Sequence, residues 1–242
     1  MWGVLGAMAV EVDAIRAALD DPRAVRRLGY ALTQGALGAT PVVVAQSGIG
    51  KVNAALAVTA LVDAGATRVV FTGMAGSLAP GVRCGDAVVA TDLVQHDVDG
   101  SAFADTPRGQ IPGEPAAWDA DGELADALAR AAGGFGARVH RGRIASGDQF
   151  IADRLAAAGI AARCQALAVD MESAAAAQAA HTLGVPLAVL RWISDTADEG
   201  APADFPAFCE RVADLDLAIV RGLLAPPATR ASGAHGSPRR PK

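Results

Sequence analysis

One stretch, ALAVDMES at residues 166–173, joins a run of small and branched apolar residues to two carboxylates, and an alanine-rich segment follows at once. The apolar run predicts a buried strand, and the alanine-rich segment predicts a helix that begins where the strand ends. In open α/β sheets, ligands bind in the crevice outside the carboxyl ends of the strands, where a helix N-terminus presents unpaired backbone N–H groups. The stretch therefore indicates an α/β fold with a candidate site at this junction.

Two other apolar runs of the chain end in the same way. Trp2–Ala7 is followed by Glu11, and Pro186–Ile193 is followed by Asp195. Because the carboxyl ends of parallel strands meet at one edge of a sheet, we expect these carboxylates to lie close to Glu172. The three strand ends together predict one acidic pocket that is assembled from distant segments.

Working outward, short apolar runs alternate with longer helical patterns, which is typical of a mostly parallel sheet with crossover helices. The predicted strands are Trp2–Ala7, Pro41–Gln46, Arg68–Thr72, Asp86–Val94, Arg138–Ala145, Leu167–Val169 and Leu187–Ile193. The predicted helices are Val10–Leu19, Lys51–Ala64, Glu123–Ala132, Ile151–Ala158, Met171–Leu183 and Phe205–Leu224. A length of 242 residues fits one large α/β domain, which we assign to residues 1–224.

Two segments depart from this alternation. Residues 97–118 are rich in Asp, Gly and Pro with scattered aromatic residues, and a loop of this length without periodicity is usually functional or mobile. We expect it to form a rim that reaches a partner subunit. Residues 225–242 turn to Pro, Ala, Ser, Gly and Arg, which cannot bury enough apolar surface to become ordered. We predict that they form a disordered C-terminal tail.

The bulk composition excludes several classes of partner. The formal net charge is −5, and the basic residues form no stripe that could neutralise phosphates, so nucleic acid is not expected as a partner. The apolar runs are shorter than the roughly 20 residues that a membrane span needs, and the first residues lack the features of a signal peptide. The three cysteines are widely spaced and odd in number, which favours reduced thiols and a cytoplasmic location.

Several familiar chemistries fail on spacing. The segment 47–51 (SGIGK) resembles part of a P-loop, but Ala45 and Val52 stand where that loop needs Gly and Ser or Thr. The chain has neither a GxGxxG nor a GxSxG motif. Its four histidines show no metal-ligand spacing among themselves or with the cysteines. We therefore expect no metal, no nicotinamide cofactor and no serine nucleophile.

The remaining pocket is rich in carboxylates and poor in cations, which favours a neutral substrate with many hydroxyl groups. A ribose is such a substrate. Glu172 could accept hydrogen bonds from the 2′ and 3′ hydroxyls, and an ionised acceptor makes such bonds stronger than neutral pairs. Met171 would then lie against the face of the sugar.

Seven motifs occur in an order and with separations that resemble one known family, the 5′-methylthioadenosine/S-adenosylhomocysteine nucleosidases of the purine nucleoside phosphorylase superfamily. The resemblance covers residues 1 to about 224. Because all seven motifs agree in order, the set is specific although each motif alone is weak. The motifs are GAM with Glu11 at 6–11, SGIGKVNAA at 47–55, TGMAG at 72–76, Gly85-Asp86, SGDQFI at 146–151, Asp170-Met171-Glu172 and Ile193-Ser194-Asp195.

This resemblance implies an α/β domain with a central twisted, partly barrel-like mixed sheet flanked by helices. It also implies a homodimer without cofactor or metal that hydrolyses the N-glycosidic bond between adenine and a 5′-thio-substituted ribose. Glu11 would activate the attacking water, and Asp195 would protonate N7 of adenine. The implied substrate-binding residues are Met8, Ile49, Met74, Phe150, Ile151, Asp170, Met171, Glu172, Ser194 and Phe205, with Phe103 coming from the partner subunit.

General chemistry leads to the same two catalytic groups. Cleavage of an N-glycosidic bond develops oxocarbenium character on the ribose and negative charge on the departing base. The enzyme therefore needs an acid at the base and a water-activating group at the sugar, and Asp195 and Glu11 supply one each. The acid must hold its proton near neutral pH, which requires burial or neighbouring negative charge.

Two positions depart from the family pattern. Met74 stands where the family commonly has a small polar residue, so a hydroxyl that could contact the water or Glu11 is missing. Asp170 stands where Glu is frequent, which shortens the side chain by one methylene. Both departures bear on the choice of substrate and leave the class of reaction unchanged.

Three other functions fit parts of this pattern. A futalosine-type hydrolase would use the same carboxylates with a larger 5′ pocket. A nucleoside phosphorylase would need a phosphate cradle, for which Lys51 and Arg191 are the only cations near the motifs. A nucleoside sensor would bind its ligand without turnover, although a candidate acid and a candidate base together favour an enzyme.

Overall fold

The computed structural model describes residues 1–103, 105–198 and 201–224, apart from the side chains of 202–207 and 210. The apolar runs of the sequence form buried strands, and the alanine-rich patterns form helices. The strands are β1 (Trp2–Gly6), β2 (Asp20–Arg27), β3 (Tyr30–Leu37), β4 (Thr40–Gln46), β5 (Arg68–Ser77), β6 (Ala87–Gln95), β7 (Trp118–Asp119), β8 (Val139–Ser146), β9 (Ala168–Asp170) and β10 (Leu187–Asp195). The helices are α1 (Ala9–Ala17), α2 (Lys51–Asp63), α3 (Gly122–Gly134), α4 (Arg154–Cys164), α5 (Ser173–Thr182) and α6 (Ala201–Leu224).

The long strand β5 organises a mixed sheet. It pairs in parallel with β1 and β10 and antiparallel with β9. Because β10 also pairs with β6, and β6 continues through β8 to β9, five strands close into a ring. Strands β4, β3 and β2 extend the sheet outward from β1. This confirms the expected single domain with a partly barrel-like mixed sheet flanked by helices.

Small side chains fill the space between the sheet and the helices. Helices α2 and α5 pack together over a cluster of buried alanines, valines and leucines on one face of the sheet. Helices α1, α3 and α6 cover a second cluster on the other face. Because alanine lets a helix backbone come close to the sheet, the chain builds a dense core with few aromatic residues. None of the described helices is long and apolar enough to cross a membrane.

The prediction missed the hairpin formed by β2 and β3, which pair antiparallel. Strand β2 is exposed along nearly its whole length and carries Asp20, Pro22 and several arginines, so it lacks the apolar alternation by which strands are recognised. Its hydrogen bonds come from pairing with β3, which in turn pairs with β4. The prediction also missed strand β7, because two residues are too few to show the alternation that identifies a strand.

Several predicted boundaries were wrong by two to six residues, and the largest errors are the ends of β5, at Ser77, and of α4, at Cys164. Helix α4 begins at Arg154 instead of Ile151, because the side chain of Asp153 caps the helix by accepting a hydrogen bond from the Ala156 N–H. Helix α5 begins at Ser173, with Glu172 at its N-cap position. Strand β10 continues to Asp195, and α6 begins at Ala201 instead of Phe205. The predicted tail, residues 225–242, lies outside the described residues.

The ends of β1, β5, β9 and β10 meet at one edge of the sheet. There, Gly73 of β5 has φ +151°, and an added Cβ would lie 2.4 Å from Arg191 Nη1 and 2.6 Å from Glu11 Oε1. The neighbouring atoms are charged groups packed in the interior, so they have little room to move. This glycine therefore lets two distant elements meet against the backbone of β5.

We expect Gly73→Ala to lower the free energy of unfolding by at least about 2 kcal/mol, because it combines a disfavoured backbone angle with a clash against buried charged groups. Urea denaturation measures the change. Gly133→Ala in α3 is the matched control, since it has open space around its Cβ position and its φ is not positive. Equal stability of the two variants would show that the approach of Glu11 and Arg191 to β5 is not tight.

Candidate active site

A cavity of about 670 Å³, counted with its open mouth, lies where these strand ends meet. Segments that are far apart in sequence line it, and eleven of the thirteen predicted site residues are among them. These eleven are Met8, Glu11, Ile49, Met74, Phe150, Ile151, Asp170, Met171, Glu172, Ser194 and Asp195. The remaining lining residues are Ala7, Ala75, Gly76, Gln149 and Val169. The predicted convergence of three acidic strand ends in one pocket is therefore present in the structure.

Glu11 stands in the first turn of α1, directly after β1, and its side chain is buried. Its Oε2 accepts hydrogen bonds from the N–H groups of Ala7 (2.6 Å) and Met8 (2.9 Å), and its Oε1 accepts one from the N–H of Met74 (3.2 Å). Burial raises the pKa of Glu11 above its ordinary value, although the Arg191 charge and the three N–H groups oppose this effect. The result is a rigidly held carboxyl group that is a stronger base than a solvated glutamate.

Asp195 ends β10 and is also buried. Its Oδ1 accepts from the N–H of Ala197 at 2.8 Å, and its Oδ2 lies 2.6 Å from Ser194 Oγ. The Ser194 hydroxyl lies 3.3 Å from a second acceptor, the carbonyl oxygen of Ala75. A hydroxyl can donate to one group while it accepts from another, so Ser194 can pair with Asp195 in either protonation state.

Glu172 occupies the N-cap position of α5 and lines the cavity beside Met171. Its Oε1 accepts a hydrogen bond of 2.7 Å from the N–H of Gly50, the residue before α2. Burial, together with the nearby negative charge of Asp170, raises the pKa of Glu172 to about 7. The group therefore changes its charge within the physiological pH range.

The carboxylate of Asp170 is largely occupied by protein groups. It accepts hydrogen bonds from the hydroxyls of Ser146 and Ser173 and forms a buried ion pair of 2.8 Å with Arg191 Nε. Arg191 also donates to the carbonyl oxygen of Thr72 at 3.0 Å. Although Asp170 borders the cavity, these contacts favour a structural role over direct contact with a substrate.

Apolar side chains form the rest of the wall. Met8, Ile49, Met74 and Met171 border the cavity together with Phe150 and Ile151, and Phe150 and Ile49 are each about half exposed at its mouth. Polar groups thus lie at the base of an apolar pocket, which is the usual arrangement in a small-molecule site.

Two predicted site residues are not placed in the cavity. Phe103 is 64% exposed on the long loop and does not line the cavity of its own chain. Phe205 belongs to α6, and its side chain lies outside the described residues. The contribution expected of Phe103 to a partner subunit remains a prediction.

The sequence analysis missed the role of Arg191, which it considered only as a candidate phosphate ligand. The Arg191 side chain is 1% exposed and its guanidinium lies 3.9 Å from the centre of the Phe71 ring. Lys51, the other candidate, pairs with Asp97 at 2.7 Å and contacts Gln95. Neither side chain lines the cavity. An arginine within an apolar strand was a usable signal, because buried charges are almost always paired.

The chain is similar in sequence to proteins that are described as nucleosidases. The 5′-methylthioadenosine/S-adenosylhomocysteine nucleosidase of Exiguobacterium is 41% identical over 211 residues, covering 86% of this chain and 90% of the relative. The nucleosidase of the same description from Bacillus subtilis is 39% identical over 213 residues, covering 87% and 92%.

Solved structures of similar proteins superpose on most of this chain. The nucleosidase of Neisseria meningitidis in complex with methylthio-immucillin-A superposes with a TM-score of 0.87 at 38% identity, covering 92% of this chain and 97% of that one. The futalosine hydrolase of Helicobacter pylori gives 0.86 at 36% identity, covering 92% and 96%. The model of the family described as "Phosphorylase superfamily" matches residues 2–225. The chain therefore belongs to the phosphorylase superfamily.

Proposed function

We propose that this protein hydrolyses the N-glycosidic bond of adenine nucleosides such as 5′-methylthioadenosine and S-adenosylhomocysteine, releasing adenine and the 5′-substituted ribose. The observation that carries the proposal is the presence of two buried carboxyl groups, Glu11 and Asp195, in one cavity with Glu172. Bond cleavage needs an acid and a base at separate points of the substrate, and this cavity holds one candidate for each role.

In the proposed reaction, Asp195 donates its proton to N7 of adenine, so that the base departs without negative charge. The C1′–N9 bond breaks, and positive charge develops on the ribose ring. Glu11 takes a proton from the water that adds to C1′ and completes the hydrolysis. Ser194 supports Asp195 in both states, since its hydroxyl can accept from the acid and then donate to the carboxylate.

The ribose and the purine have separate candidate partners. Glu172, in its ionised form, accepts from the ribose 2′ and 3′ hydroxyls while Met171 packs against the sugar. Phe150 stacks on the purine, and the backbone of Ile151 binds the purine edge. Met8, Ile49 and Met74 enclose the nucleoside. This arrangement leaves the two carboxyl groups at the bond that breaks.

The lining of the cavity favours hydrolysis over phosphorolysis. None of its described lining residues is Lys, Arg or His, so among the described residues no cationic side chain lines the cavity to bind a phosphate beside the ribose. A futalosine-type hydrolase is the second candidate, because one of the matched structures carries that name. The two hydrolases would differ in the 5′ group that they accept, not in the carboxyl chemistry.

We also propose a cytoplasmic homodimer. Ile49, Val52 and Leu56, in α2 or just before it, are each at least half exposed, and Phe103 of the long loop is also exposed. Ile49, Val52 and Leu56 follow one another closely along the chain, and a group of exposed apolar side chains is typical of a contact surface. A second subunit that covers them would bring its own Phe103 near the mouth of the cavity.

The function is tested by incubating the protein with 5′-methylthioadenosine, S-adenosylhomocysteine, adenosine and 6-amino-6-deoxyfutalosine, with and without phosphate, and by identifying the products by mass. Free base and free sugar from the thio-nucleosides support the proposal. Sugar 1-phosphate would indicate phosphorolysis, preference for the futalosine would select that hydrolase, and bound but intact ligand would indicate a sensor.

Asp195→Asn should lower kcat at least about 100-fold while 5′-methylthioadenosine still binds, because an amide cannot deliver the proton and general acids contribute about 10²–10⁴-fold. Steady-state kinetics and calorimetric binding measure the two effects. Asp198→Asn, which makes the same charge change outside the cavity lining, is the control and should keep its activity. Retention of more than about a tenth of the wild-type rate by Asp195→Asn would refute the acid assignment.

Glu172→Gln should make the protein more stable above pH 7 but not in acid. The folded-state pKa of Glu172 is about 7 against an ordinary value of 4.5, so the folded state favours the protonated form. As pH rises between these values, the unfolded chain loses the proton first, and the free energy of unfolding falls by up to about 3 kcal/mol. The neutral amide removes this loss.

Urea denaturation of Glu172→Gln and wild type at about pH 4 and about pH 8 measures the difference. Glu123→Gln, at an exposed position of α3, is the control for a changed carboxyl group that is not buried. A stability difference between wild type and Glu172→Gln that does not grow with pH would show that Glu172 titrates like a solvated group.

Phe103→Ala should raise KM for 5′-methylthioadenosine at least about tenfold more than KM for adenosine, because the lost ring would close the 5′ side of the partner's site. Steady-state kinetics with both substrates and sedimentation velocity test the two parts of the prediction. Phe135→Ala removes a similarly exposed ring outside the loop and serves as control. A fully active monomer, or an equal loss with both substrates, would contradict it.

A further inference from the structure

Asp216 is a carboxyl group that the proposed chemistry does not use. It lies on α6, and its residue is completely buried. Phe208, Val212 and Ile219 of the same helix are buried in the apolar cluster that covers this face of the sheet. A charge in such surroundings is costly unless it is paired, so a carboxyl group at this position needs an explanation.

The polar contacts of Asp216 join α6 to two strands of the ring. Its Oδ1 accepts a hydrogen bond of 3.1 Å from Trp192 Nε1 on β10. Its Oδ2 and the Thr72 Oγ1 on β5 are both buried, and neither completes a hydrogen bond with another described residue. The Thr72 hydroxyl is a hydrogen-bonding neighbour of the Asp216 carboxyl group. Thr72 Oγ1 and Asp216 Oδ2 can therefore pair with each other through one shared proton.

The surroundings favour the neutral acid. Burial raises the pKa of Asp216 well above its ordinary value, and the negative charge of Glu11 on α1 acts in the same direction. The positive charge of Arg191 on β10 opposes it, as do the hydrogen-bonding groups of Trp192 and Thr72 beside the carboxyl. A neutral Asp216 can donate from Oδ2 to Thr72 Oγ1 and accept at Oδ1 from Trp192 Nε1, so that both of its oxygens are paired.

The strand that Asp216 contacts is also the strand that supports Glu11. The carbonyl oxygen of Thr72 accepts from Arg191 Nη1 at 3.0 Å, and two residues later the N–H of Met74 donates to Glu11 Oε1 at 3.2 Å. Helix α6 touches this stretch a second time, where Cys209 Sγ lies 3.9 Å from Met74 Sδ. Residues 209 and 216 are two helical turns apart on one face, so α6 contacts both ends of the segment 72–74.

We propose that Asp216 is a positioning residue, a neutral buried acid that fastens α6 to Thr72 and Trp192 and thereby holds the Met74 N–H against Glu11. This role rests on the proposed function, because it acts through the water-activating group. The side chain at position 74 carries no hydroxyl, so the backbone of β5 is the contact through which this part of the strand orients Glu11.

The neutral form matters for charge as well as for geometry. An ionised Asp216 would add a second negative charge near Glu11, and like charges in a buried site disfavour each other. Asp216→Asn keeps the size and the neutrality of the acid and still offers a donor and an acceptor. Asp216→Leu keeps the branched shape of the side chain but removes both hydrogen bonds, and Thr72→Val removes only the β5 partner.

The experiment compares these three variants with wild type in kcat and KM for 5′-methylthioadenosine across pH. Asp216→Asn should stay within about threefold of wild type with the same pH profile, whereas Asp216→Leu and Thr72→Val should lose at least about tenfold in kcat with little change in KM. Asp214→Asn, at an exposed position of the same helix, is the charge control. An infrared difference spectrum of wild type against Asp216→Asn should show the loss of a protonated-acid carbonyl band.

Several results would overturn the proposal. A loss in Asp216→Asn as large as that in Asp216→Leu, or no protonated-acid band in the difference spectrum, would show that the ionised form is the one that the fold uses. Thr72→Val keeps the shape of its side chain and provides the test if Asp216→Leu does not fold. A wild-type kcat and a wild-type pH profile in Thr72→Val would show that Asp216 has a purely structural role. An inactive wild-type protein would overturn the proposed function together with this role, whereas an active one with unaffected variants overturns only the role.

Discussion

The ion pair between Arg191 and Asp170 is the interaction on which the site depends. Both side chains are 1% exposed, and their 2.8 Å contact crosses from β10 to the end of β9. The same guanidinium binds the Thr72 carbonyl oxygen and covers the Phe71 ring, so it ties β5 to the other two strands. Removing one partner of such a pair leaves an uncompensated buried charge, which typically costs about 3–5 kcal/mol.

This ion pair also sets the electrostatics of the cavity. Arg191 faces Asp170, Glu11 and Glu172, and the charge of each raises the pKa of the arginine. One positive charge does not balance all of the buried carboxyl groups when they are ionised together. Because Asp170 takes the direct contact, the pKa values of Glu11 and Glu172 are raised by burial and are only partly lowered by the arginine. As a result, Glu11 and Glu172 both hold their protons to a higher pH than solvated carboxyl groups do.

The positions of the catalytic candidates could be predicted because each follows a buried strand. Glu11, Glu172 and Asp195 stand where apolar runs stop. Parallel pairing with β5 brings the ends of β1 and β10 together, and β9 reaches the same edge by pairing antiparallel with the last residues of β5. The signal is local in sequence, and the topology converts it into proximity. The same logic does not reach β2, whose exposed charged residues form a strand only because β3 is already there to pair with it.

Arg191 and Asp216 could not be assigned from the sequence for a related reason. Their roles depend on which face of an element they occupy and on the depth of the packing above it. In β10 every residue is buried, so periodicity does not distinguish the face of Arg191 from that of Trp192. In α6, Asp216 falls on the apolar face, where the helical pattern alone predicts an apolar side chain. The contacts with Trp192 and Thr72 explain why a carboxyl group stands at this position.

Backbone groups, more than side chains, fix the carboxyl groups of the cavity. Glu11, Glu172 and Asp195 each accept at least one backbone N–H, from residues such as Met74, Gly50 and Ala197. An N–H group held in a strand or at a helix start cannot rotate away, and ordering it costs no additional side-chain entropy. Such contacts require the backbone to come close to the carboxyl oxygens.

That close approach explains why glycine lies beside these carboxyl groups. A Cβ at position 76 would lie 2.9 Å from Asp195 Oδ1, and one at position 73 would lie 2.6 Å from Glu11 Oε1. Larger residues would push the carboxyl groups away from the strand ends that orient them. The small residues that make the core dense thus also make the site precise, because both depend on how near one backbone can come to another.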